Sequence, residues 1–423
     1  DLHARCGRAY AAIGLWGKAK PELEKALRGL PSHAVEQQAE VMADLAIACF
    51  WLMDTPGLRD YSNKTLSIAK KANRHDLESA AISGLAGADG LEGRLFSSME
   101  QYDIAITQSK RHGTAVPAHT LEWYPLELYW VGKLDEAIER SREAVQKCRE
   151  VGDSFVLLRA LSNLGISLAG RGRYSEALQI FGDAQQFGRE NDLGRPLARS
   201  MVMLGGVHLE VYDFTTAQSI TEEAREIATS FNFPPPIISA NIDLLFNFTR
   251  RGEVERAEAL IDEVAEAVKQ TSNWHGWLWK MRLAQAQAEI SLARGDGEKA
   301  IHSAEKSLHQ SQATGRIKYQ AAALQARGKA LVLMGKKRSE GIGDLQKAIQ
   351  LVRPVQDPLM FLRAAYTLLC VKTDKKLIEE VRGVVTQTKE SLLDTVLLRP
   401  FDDSEPVRML SQLIYNYPKK TSK

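Results

Sequence analysis

The chain has 423 residues, and its 55 lysines and arginines against 53 aspartates and glutamates leave a formal charge of only +2. This balance excludes the strongly basic footprint of a nucleic-acid-binding protein or of a protein that binds anionic membranes. Hydrophobic residues make up 44% of the chain and aromatic residues only 7%, and strand signals are scarce, so we expect an all-helical protein.

The four cysteines give no sign of a disulfide or a metal site. Cys6, Cys49, Cys148 and Cys370 lie far apart and none has a histidine or a second cysteine at metal-ligand spacing. We expect them to be buried in a reducing compartment. The longest apolar run, Leu45–Met53, is too short to cross a membrane, and the amino terminus lacks the apolar segment of a signal peptide. The sequence therefore predicts a cytoplasmic protein.

The stretch Leu164–Ala184 contains the clearest repeated unit. Gly165 and Ala177 are small where two helices of a hairpin cross closely, and Gly172 stands where the first helix ends in a left-handed turn. The apolar residues between them supply the faces that pack within and between hairpins. The complete set is Leu164, Gly165, Leu168, Gly172, Tyr174, Ala177, Phe181 and Ala184. These offsets are typical of a tetratricopeptide repeat.

Equivalents of the Gly172 turn recur about every 40 residues along the chain. They are Gly14, Met53, Gly93, Gly132, Gly172, Tyr212, Gly252, Gly295 and Gly335. A standard repeat has about 34 residues. Because the sequence stays periodically apolar on both sides of the turns, we place the extra residues in helices of roughly 14–18 residues rather than in long loops.

This period predicts an all-α fold, a right-handed superhelical solenoid of about ten tetratricopeptide-like hairpins. We expect residues 1–392 to form one continuous array and residues 393–423 to form a capping helix and a tail. The prolines within 231–236 are expected to begin a helix, with a kink of the array near that point.

Three stretches carry a more particular resemblance. Arg5–Leu30, Trp279–Tyr319 and Thr388–Leu410 look like the carboxy-terminal tetratricopeptide region of bacterial signal-transducing ATPases of the STAND/AAA type, which are coupled to nucleotide cyclase or transcriptional activator domains. The resemblance implies an ATPase module in cis before residue 1, and a sensor or docking role for this region. The chain itself has no G-x-x-x-x-G-K-[ST] phosphate loop.

In a tetratricopeptide array the first helix of each hairpin lines the concave groove, so its solvent-facing positions are the binding candidates. Setting the register from Gly165 gives a set of mixed polar residues. The predicted groove residues are Arg159, Ser162, Arg199, Asn241, Arg282, Gln285, Glu289, Gln325 and Lys329.

Aromatic residues concentrate at two places, near residues 123–130 and near residues 274–279. Large aromatic side chains either pack between hairpins or lie at a binding surface. Because the first cluster lies in an irregular, proline-containing repeat and the second holds three tryptophans in six residues, we predict surface contacts from both. The predicted residues are Trp123, Tyr124, Trp130, Trp274 and Trp277.

Two further patterns have competing interpretations. Gly84, Gly87, Gly90 and Gly93 favour close helix packing over a phosphate loop, because no strand precedes them. A basic stretch is either a solvated face or a docking site for an acidic segment or a phosphate. Its members are Lys306, Arg316, Lys318, Arg327, Lys329, Lys336, Lys337 and Arg338.

No constellation of catalytic or metal-ligating residues stands out, so we predict no enzyme activity, no catalytic residue, no metal and no cofactor. We expect a sensor or docking scaffold that binds a protein, a peptide or a small-molecule effector, as the regulatory arm of a larger signalling ATPase, cyclase or transcription regulator. The alternative is a free-standing adaptor that bridges proteins through its groove. Direct binding to nucleic acid or membrane is not expected.

Overall fold

The computed structural model describes residues 2–271, 275–335 and 337–417, which form helices joined by short turns, without strands. Contacts divide the chain into two compact units. Unit 1 is formed by Asp1–Glu127 and Thr271–Trp277, and unit 2 by Leu128–Gln270 and Leu278–Lys423. None of the described helices is long and apolar enough to span a membrane.

The first seven helices supply unit 1 up to Glu127. They are α1 Leu2–Ala12, α2 Trp16–Gly29, α3 Val35–Trp51, α4 Thr55–Ala72, α5 His75–Leu91, α6 Leu95–His112 and α7 Ala118–Trp130. Consecutive helices pack as hairpins, and α1, α2 and α3 share a core that includes Leu23, Leu45 and Ala48. The helix α7 continues through Pro125, so this proline does not interrupt the helix.

The remaining helices build unit 2, apart from the first residues of α15. They are α8 Leu134–Val151, α9 Ser154–Gly170, α10 Tyr174–Glu190, α11 Gly194–Glu210, α12 Phe214–Ser230, α13 Pro234–Arg250, α14 Val254–Gln270, α15 Gly276–Ala293, α16 Gly297–Thr314, α17 Ile317–Leu333, α18 Arg338–Val352, a 3-10 turn Arg353–Val355, α19 Pro358–Leu369, α20 Lys375–Leu392, α21 Leu398–Asp403 and α22 Glu405–Asn416. The final helix α22 packs on α19 and α20.

All nine turn positions predicted from the period adopt the left-handed conformation. Their φ angles run from +62° at Met53 to +85° at Gly93. Glycine takes this conformation at little cost, whereas Met53 and Tyr212 (φ +66°) each bear a steric penalty of about 1–2 kcal/mol. Both still follow the turn, so hairpin packing outweighs the local penalty. The left-handed backbone at these turns therefore sets the period that the sequence predicted.

A second series of left-handed residues, offset by about 20 residues, joins one hairpin to the next. It consists of Asn73, Gly113, Gly152, Asp192, Asn232, His275, Gln356 and Asp394, together with Gly315. This second series was not predicted from the sequence, because most of its members are not glycine. Asn and Asp do favour left-handed backbone, so their recurrence was a readable signal.

Longer helices accommodate the extra residues of each repeat, as predicted. Helices α3 to α6 and α8 to α17 all have 17 or 18 residues. The prolines at 234–236 occupy the first turn of α13, where a missing N–H costs no helical hydrogen bond. The helix bounds stay in period there, and a kink at that point stays a prediction.

Small residues let helices approach closely, as the sequence predicted. On α5 of unit 1, a Cβ added at Gly84, Gly87 or Gly90 would collide with Ser62, His119 or Glu127 respectively. The prediction of buried cysteines is only half right. Cys49 and Cys148 are buried, whereas Cys6 is half-buried and Cys370, at the end of α19, is exposed.

We predict that Gly165→Val destabilises unit 2 by about 1–3 kcal/mol, because a Cβ at this position would lie 2.8 Å from the ring of Phe181, which is fully buried. Thermal and urea unfolding followed by circular dichroism would measure it. The matched control is Gly182→Ala on α10, where a Cβ meets nothing and helix propensity should raise stability by about 0.5–1 kcal/mol. Equal effects at the two positions would contradict the packing account.

Candidate binding face of unit 2

The first helices of the hairpins in unit 2, the odd-numbered helices α9 to α19, are linked to one another by polar contacts. Arg282 on α15 donates to Asp243 on α13 over 2.6 Å, and the Arg282 Nε donates to the Tyr319 hydroxyl on α17 over 3.0 Å. Arg199 on α11 donates to the Asn163 amide oxygen on α9 over 2.7 Å. These contacts place the side chains of successive first helices on one shared surface.

We call this surface the inner face. Its charged and aromatic members are Arg199, Glu210, Asp243, Arg250, Arg282, Glu289, Arg316, Lys318, Tyr319 and Arg363.

Glu210, the last residue of α11, is the hub of the inner face. Its carboxylate lies 2.9 Å from Arg363 Nη2, 3.1 Å from Lys318 Nζ and 3.7 Å from Arg250 Nη1. Its side chain is only 20% exposed. Burial alone would raise the pKa of Glu210, but Arg363, Lys318 and Arg250 together outweigh burial and hold the pKa well below its usual range. The carboxylate therefore ties α11 to α13, α17 and α19.

A second carboxylate, Glu289 on α15, completes the pairing of Arg250. The guanidinium donates to both carboxylate oxygens, over 2.9 and 3.1 Å, in the bidentate geometry that gives strong charge-assisted bonds. Burial opposes ionisation of Glu289, but the Arg250 charge and its hydrogen bonds lower the pKa of that carboxyl below its usual value. Glu289 and Arg250 are thus both charged at neutral pH.

Positive charge is in excess on the inner face. Among the residues defined above, six are cations and three, Glu210, Asp243 and Glu289, are carboxylates. The chain as a whole carries a formal charge of only +2. The surplus is therefore concentrated on one surface inside unit 2, where low dielectric strengthens its effect on an anionic ligand.

Five of the predicted groove residues take part in contacts between first helices, and one of them is Gln325 on α17, whose amide oxygen accepts from Thr367 of α19 over 3.3 Å. Arg199, Arg282 and Glu289 do so as described above, and Gln285 donates to the Ala322 carbonyl on α17 over 3.3 Å. Their role in binding a partner stays a prediction.

The other four predicted groove residues have different surroundings. Arg159 and Ser162 are buried, and the Ser162 hydroxyl donates to the Leu158 carbonyl within α9. Asn241 accepts from Arg225 of α12, on the side of the second helix. Lys329 is exposed. Ser162 and Asn241 therefore use their polar groups inside the array.

The prediction of surface aromatics is wrong for three residues. Trp123, Tyr124 and Trp130 are only 5%, 4% and 9% exposed. Hairpin packing accounts for the first two, since the Trp123 ring contacts Phe50 at 5.3 Å and the Tyr124 ring lies 5.8 Å from Tyr102 in unit 1. Trp130 is covered in unit 2 by Arg316, at 5.0 Å from its ring. The helix α7 is regular, so it does not present these rings to solvent.

The second aromatic cluster is described in part. Trp277 is half-buried, and its indole N–H donates to the Gly90 carbonyl over 3.1 Å within unit 1. Trp274 lies outside the described residues.

The basic stretch predicted from sequence is not one surface. Arg327 pairs with Asp344 of α18, whereas Lys318 belongs to the inner face. Lys306 and Lys337 are exposed, and Lys336 lies outside the described residues. Helical periodicity separates these side chains, so the density of positive charge in the sequence did not predict a patch.

Half of the inner-face residues were not predicted from the sequence. The missed residues are Glu210, Asp243, Arg250, Tyr319 and Arg363. A signal existed, since Asp243 with Arg282, and Arg250 with Glu289, are pairs of opposite charge 39 residues apart. When two opposite charges lie one repeat apart on first helices, they indicate a contact between neighbouring hairpins.

Unit 2 also brings its early and late hairpins together. Arg171, after α9, donates to the Gln356 carbonyl over 3.2 Å, although 185 residues separate them. A Cβ added at Gly172 would lie 3.0 Å from Pro358. A cleft of about 880 Å³ lies at this seam, with Arg173, Phe361 and Glu380 in its lining.

Asp357 is half-buried at the seam and caps α19 by accepting from the Met360 N–H over 2.9 Å. Burial raises the pKa of Asp357 to about 6, against the lowering effects of that hydrogen bond and of Lys318 and Arg363. Its carboxylate is therefore ionised at neutral pH at a cost in stability.

Comparison with known proteins identifies the class of fold. A tetratricopeptide repeat family model matches residues 128–190. The crystal structure of a Rap protein complexed with Competence and Sporulation Factor superimposes with a TM-score of 0.65 at 12% identity, covering 84% of this chain and 96% of that one. The fold is thus an all-α solenoid of tetratricopeptide-like repeats.

Two further solved structures show lower structural similarity. The apo form of RapI has a TM-score of 0.48 at 15% identity, covering 86% of this chain and 97% of that one. Yeast Tom70 has a TM-score of 0.38 at 14% identity, covering 97% and 96%. No curated protein matches the sequence.

We predict that Glu210→Gln destabilises unit 2 by about 3–5 kcal/mol, because it leaves three neighbouring cations without their shared carboxylate. Hydrogen exchange measured by mass spectrometry should become faster in α17 and α19. The control is Glu223→Gln, whose exposed pair with Arg189 should contribute no more than about 0.5 kcal/mol. Similar effects for the two variants would contradict the hub assignment.

We predict that Asp357→Asn stabilises the protein at pH 8 by about 1–3 kcal/mol, because asparagine keeps the helix cap and removes a half-buried charge. Since the folded pKa is raised, the wild-type stability from this group is full below about pH 4 and declines as pH rises through 6. The difference between variant and wild-type unfolding midpoints should therefore grow from pH 4 to pH 7. Asp374→Asn, at the equivalent cap of α20, controls for the cap itself, and a difference independent of pH would contradict the assignment.

Proposed function

We propose that the chain is a non-catalytic docking and sensing scaffold whose inner face in unit 2 holds an acidic peptide or an acidic extended segment of a protein. The observation that carries the proposal is the surplus of cations over carboxylates on the inner face of a chain that is otherwise nearly neutral. An anionic ligand would offset this surplus, whereas a cationic ligand would be repelled.

The regular spacing of first helices supports an extended ligand. Successive hairpins present polar side chains at a repeated interval, which suits a chain that also repeats its donors and acceptors. Amide side chains such as Gln285 and Gln325 can bond to backbone groups of a peptide, and the guanidinium groups can bond to its carboxylates. Binding of this kind requires no catalytic group.

The hub at Glu210 gives a means of sensing. A ligand carboxylate that competes for Lys318, Arg363 or Arg250 would weaken the ties between α11, α17 and α19. Because stacked repeats contact mainly their neighbours, small rotations between hairpins would add up along unit 2. Ligand binding would then change the arrangement of its hairpins.

We further propose that the scaffold is the regulatory arm of a signalling ATPase coupled to a cyclase or a transcriptional activator. Its support is the resemblance of Arg5–Leu30, Trp279–Tyr319 and Thr388–Leu410 to the repeat regions of such proteins. The alternative is a free-standing adaptor. Reading the coding sequence upstream of residue 1 separates them, since a P-loop module there is required by the first and not by the second.

We predict that the purified chain retains acidic hexapeptides from a randomised pool and does not retain basic ones. Arg199→Gln should weaken retention of acidic peptides by about five- to tenfold, because it removes one cation of the inner face. Affinity capture at low and high salt, followed by mass spectrometry, measures both effects, and retention should fall with salt.

The matched control is Arg189→Gln on α10, whose guanidinium is exposed and pairs with Glu223 of α12. Its retention of acidic peptides should equal that of wild type. Equal retention of acidic and basic pools, or an identical effect of the two substitutions, would contradict the proposal.

A further inference from the structure

Four cations of the inner face pair with a carboxylate, whereas no described carboxylate forms an ion pair with Arg316; the four are Arg250, Arg282, Lys318 and Arg363. Arg316 is the residue before α17, and its side chain is 6% exposed. The guanidinium carbon lies 5.0 Å from the centre of the Trp130 ring and 5.4 Å from that of Tyr319. Two aromatic rings therefore hold the cation in a fixed place.

Two of the three guanidinium nitrogens of Arg316 are buried without a hydrogen-bond partner within the described part of the chain. These are Nε and Nη1, and no described carboxylate forms an ion pair with the side chain. The charged group that acts on it is another cation, Arg282. By contrast, Arg250 has Glu289 and Arg282 has Asp243.

An unpaired buried cation is costly, and a purely structural role does not account for it. Burial lowers the pKa of Arg316 to about 10, so the group is still charged at neutral pH. A methionine could pack against Trp130 with no charge to desolvate. The guanidinium is thus retained against its cost at a position where only an anion would satisfy it.

The amino terminus of α17 adds to the positive potential at this position. The helix has 17 residues, and no side chain caps its first turn. The unpaired N–H groups of a helix start carry partial positive charge and attract anions. Lys318 stands in the same turn, although it is paired with Glu210 at 3.1 Å. A buried unpaired guanidinium and an uncapped helix start therefore coincide.

We propose that Arg316 and the start of α17 form a carboxylate-binding subsite of the inner face, with Trp130 and Tyr319 fixing the guanidinium. This inference rests on the proposed function, since it assigns an anchoring position for an acidic peptide. The carboxylate is either an acidic side chain or the terminal carboxylate of the peptide. The planar guanidinium offers two parallel N–H donors to either one.

The experiment uses the full chain labelled with 5-fluorotryptophan and followed by fluorine NMR. The Trp130 resonance is assigned with the Trp130→Phe variant. Three probes are titrated: N-acetylglutamate N-methylamide for a side-chain carboxylate, N-acetylglycine for a terminal carboxylate, and N-acetylglutamine N-methylamide as the neutral control. We expect a saturable shift of the Trp130 resonance with at least one carboxylate and none with the amide, and the responding carboxylate identifies the source.

Substitutions make the assignment specific. Arg316→Met should raise the dissociation constant for the carboxylate at least about tenfold while leaving the protein folded, and Arg316→Lys should have a smaller effect because it keeps charge without the planar donors. Arg353→Met, at an exposed arginine paired with Glu380, should bind like wild type. If Arg316→Met fails to fold, Arg316→Lys supplies the comparison.

The proposal is overturned if no carboxylate shifts the Trp130 resonance, if the amide shifts it equally, or if the Arg316 variants bind like wild type. The proposed function fails separately. Carboxylate binding without retention of acidic hexapeptides would keep the subsite and reject the peptide scaffold. Retention that depends on Arg199 without a carboxylate response at Trp130 would keep the scaffold and reject the subsite.

Discussion

A left-handed residue ends nine of the first helices, from α1 to α17, and the repeat is built on this turn. It fixes where these hairpins turn, and the interval between successive turns fixes the length of both helices. Met53 and Tyr212 accept this backbone despite the steric cost to their side chains, so the turn is imposed by the packing of whole hairpins. Once the turns are fixed, the same face of every first helix recurs on one side of unit 2, and a binding surface follows from the repeat.

The inner face shows how such a repeat can accommodate charged side chains that are largely buried. Ion pairs between neighbouring first helices, such as Arg282 with Asp243, satisfy most of the buried guanidinium groups. Glu210 serves three cations at once and Arg316 has no carboxylate partner among the described residues. Pairing is therefore incomplete in the direction that favours an anionic ligand. In the proposed function, an anionic ligand competes with Glu210 for its cations, which would make unit 2 responsive to binding.

The fold could be predicted from the sequence because glycine and small residues directly reflect backbone geometry. The Gly172 series gave all nine turns, and Gly165 gave a close helix crossing. The residues of the candidate site could be predicted less well, because the orientation of a polar side chain depends on contacts across repeats. Asn241 was placed in the groove and instead accepts from Arg225, while Trp123 was placed at the surface and is buried by Phe50. Opposite charges one repeat apart would have been the better guide.

In the proposed function, an acidic ligand binds the first helices of unit 2 and not the second helices. Hydrogen exchange of the full chain, measured with and without an acidic peptide selected from the pool, distinguishes the two sets of helices. We expect slower exchange in α11, α13, α15 and α17 and no change in α10, α12, α14 and α16. Protection confined to the second helices, or absent from both sets at saturation, would contradict it.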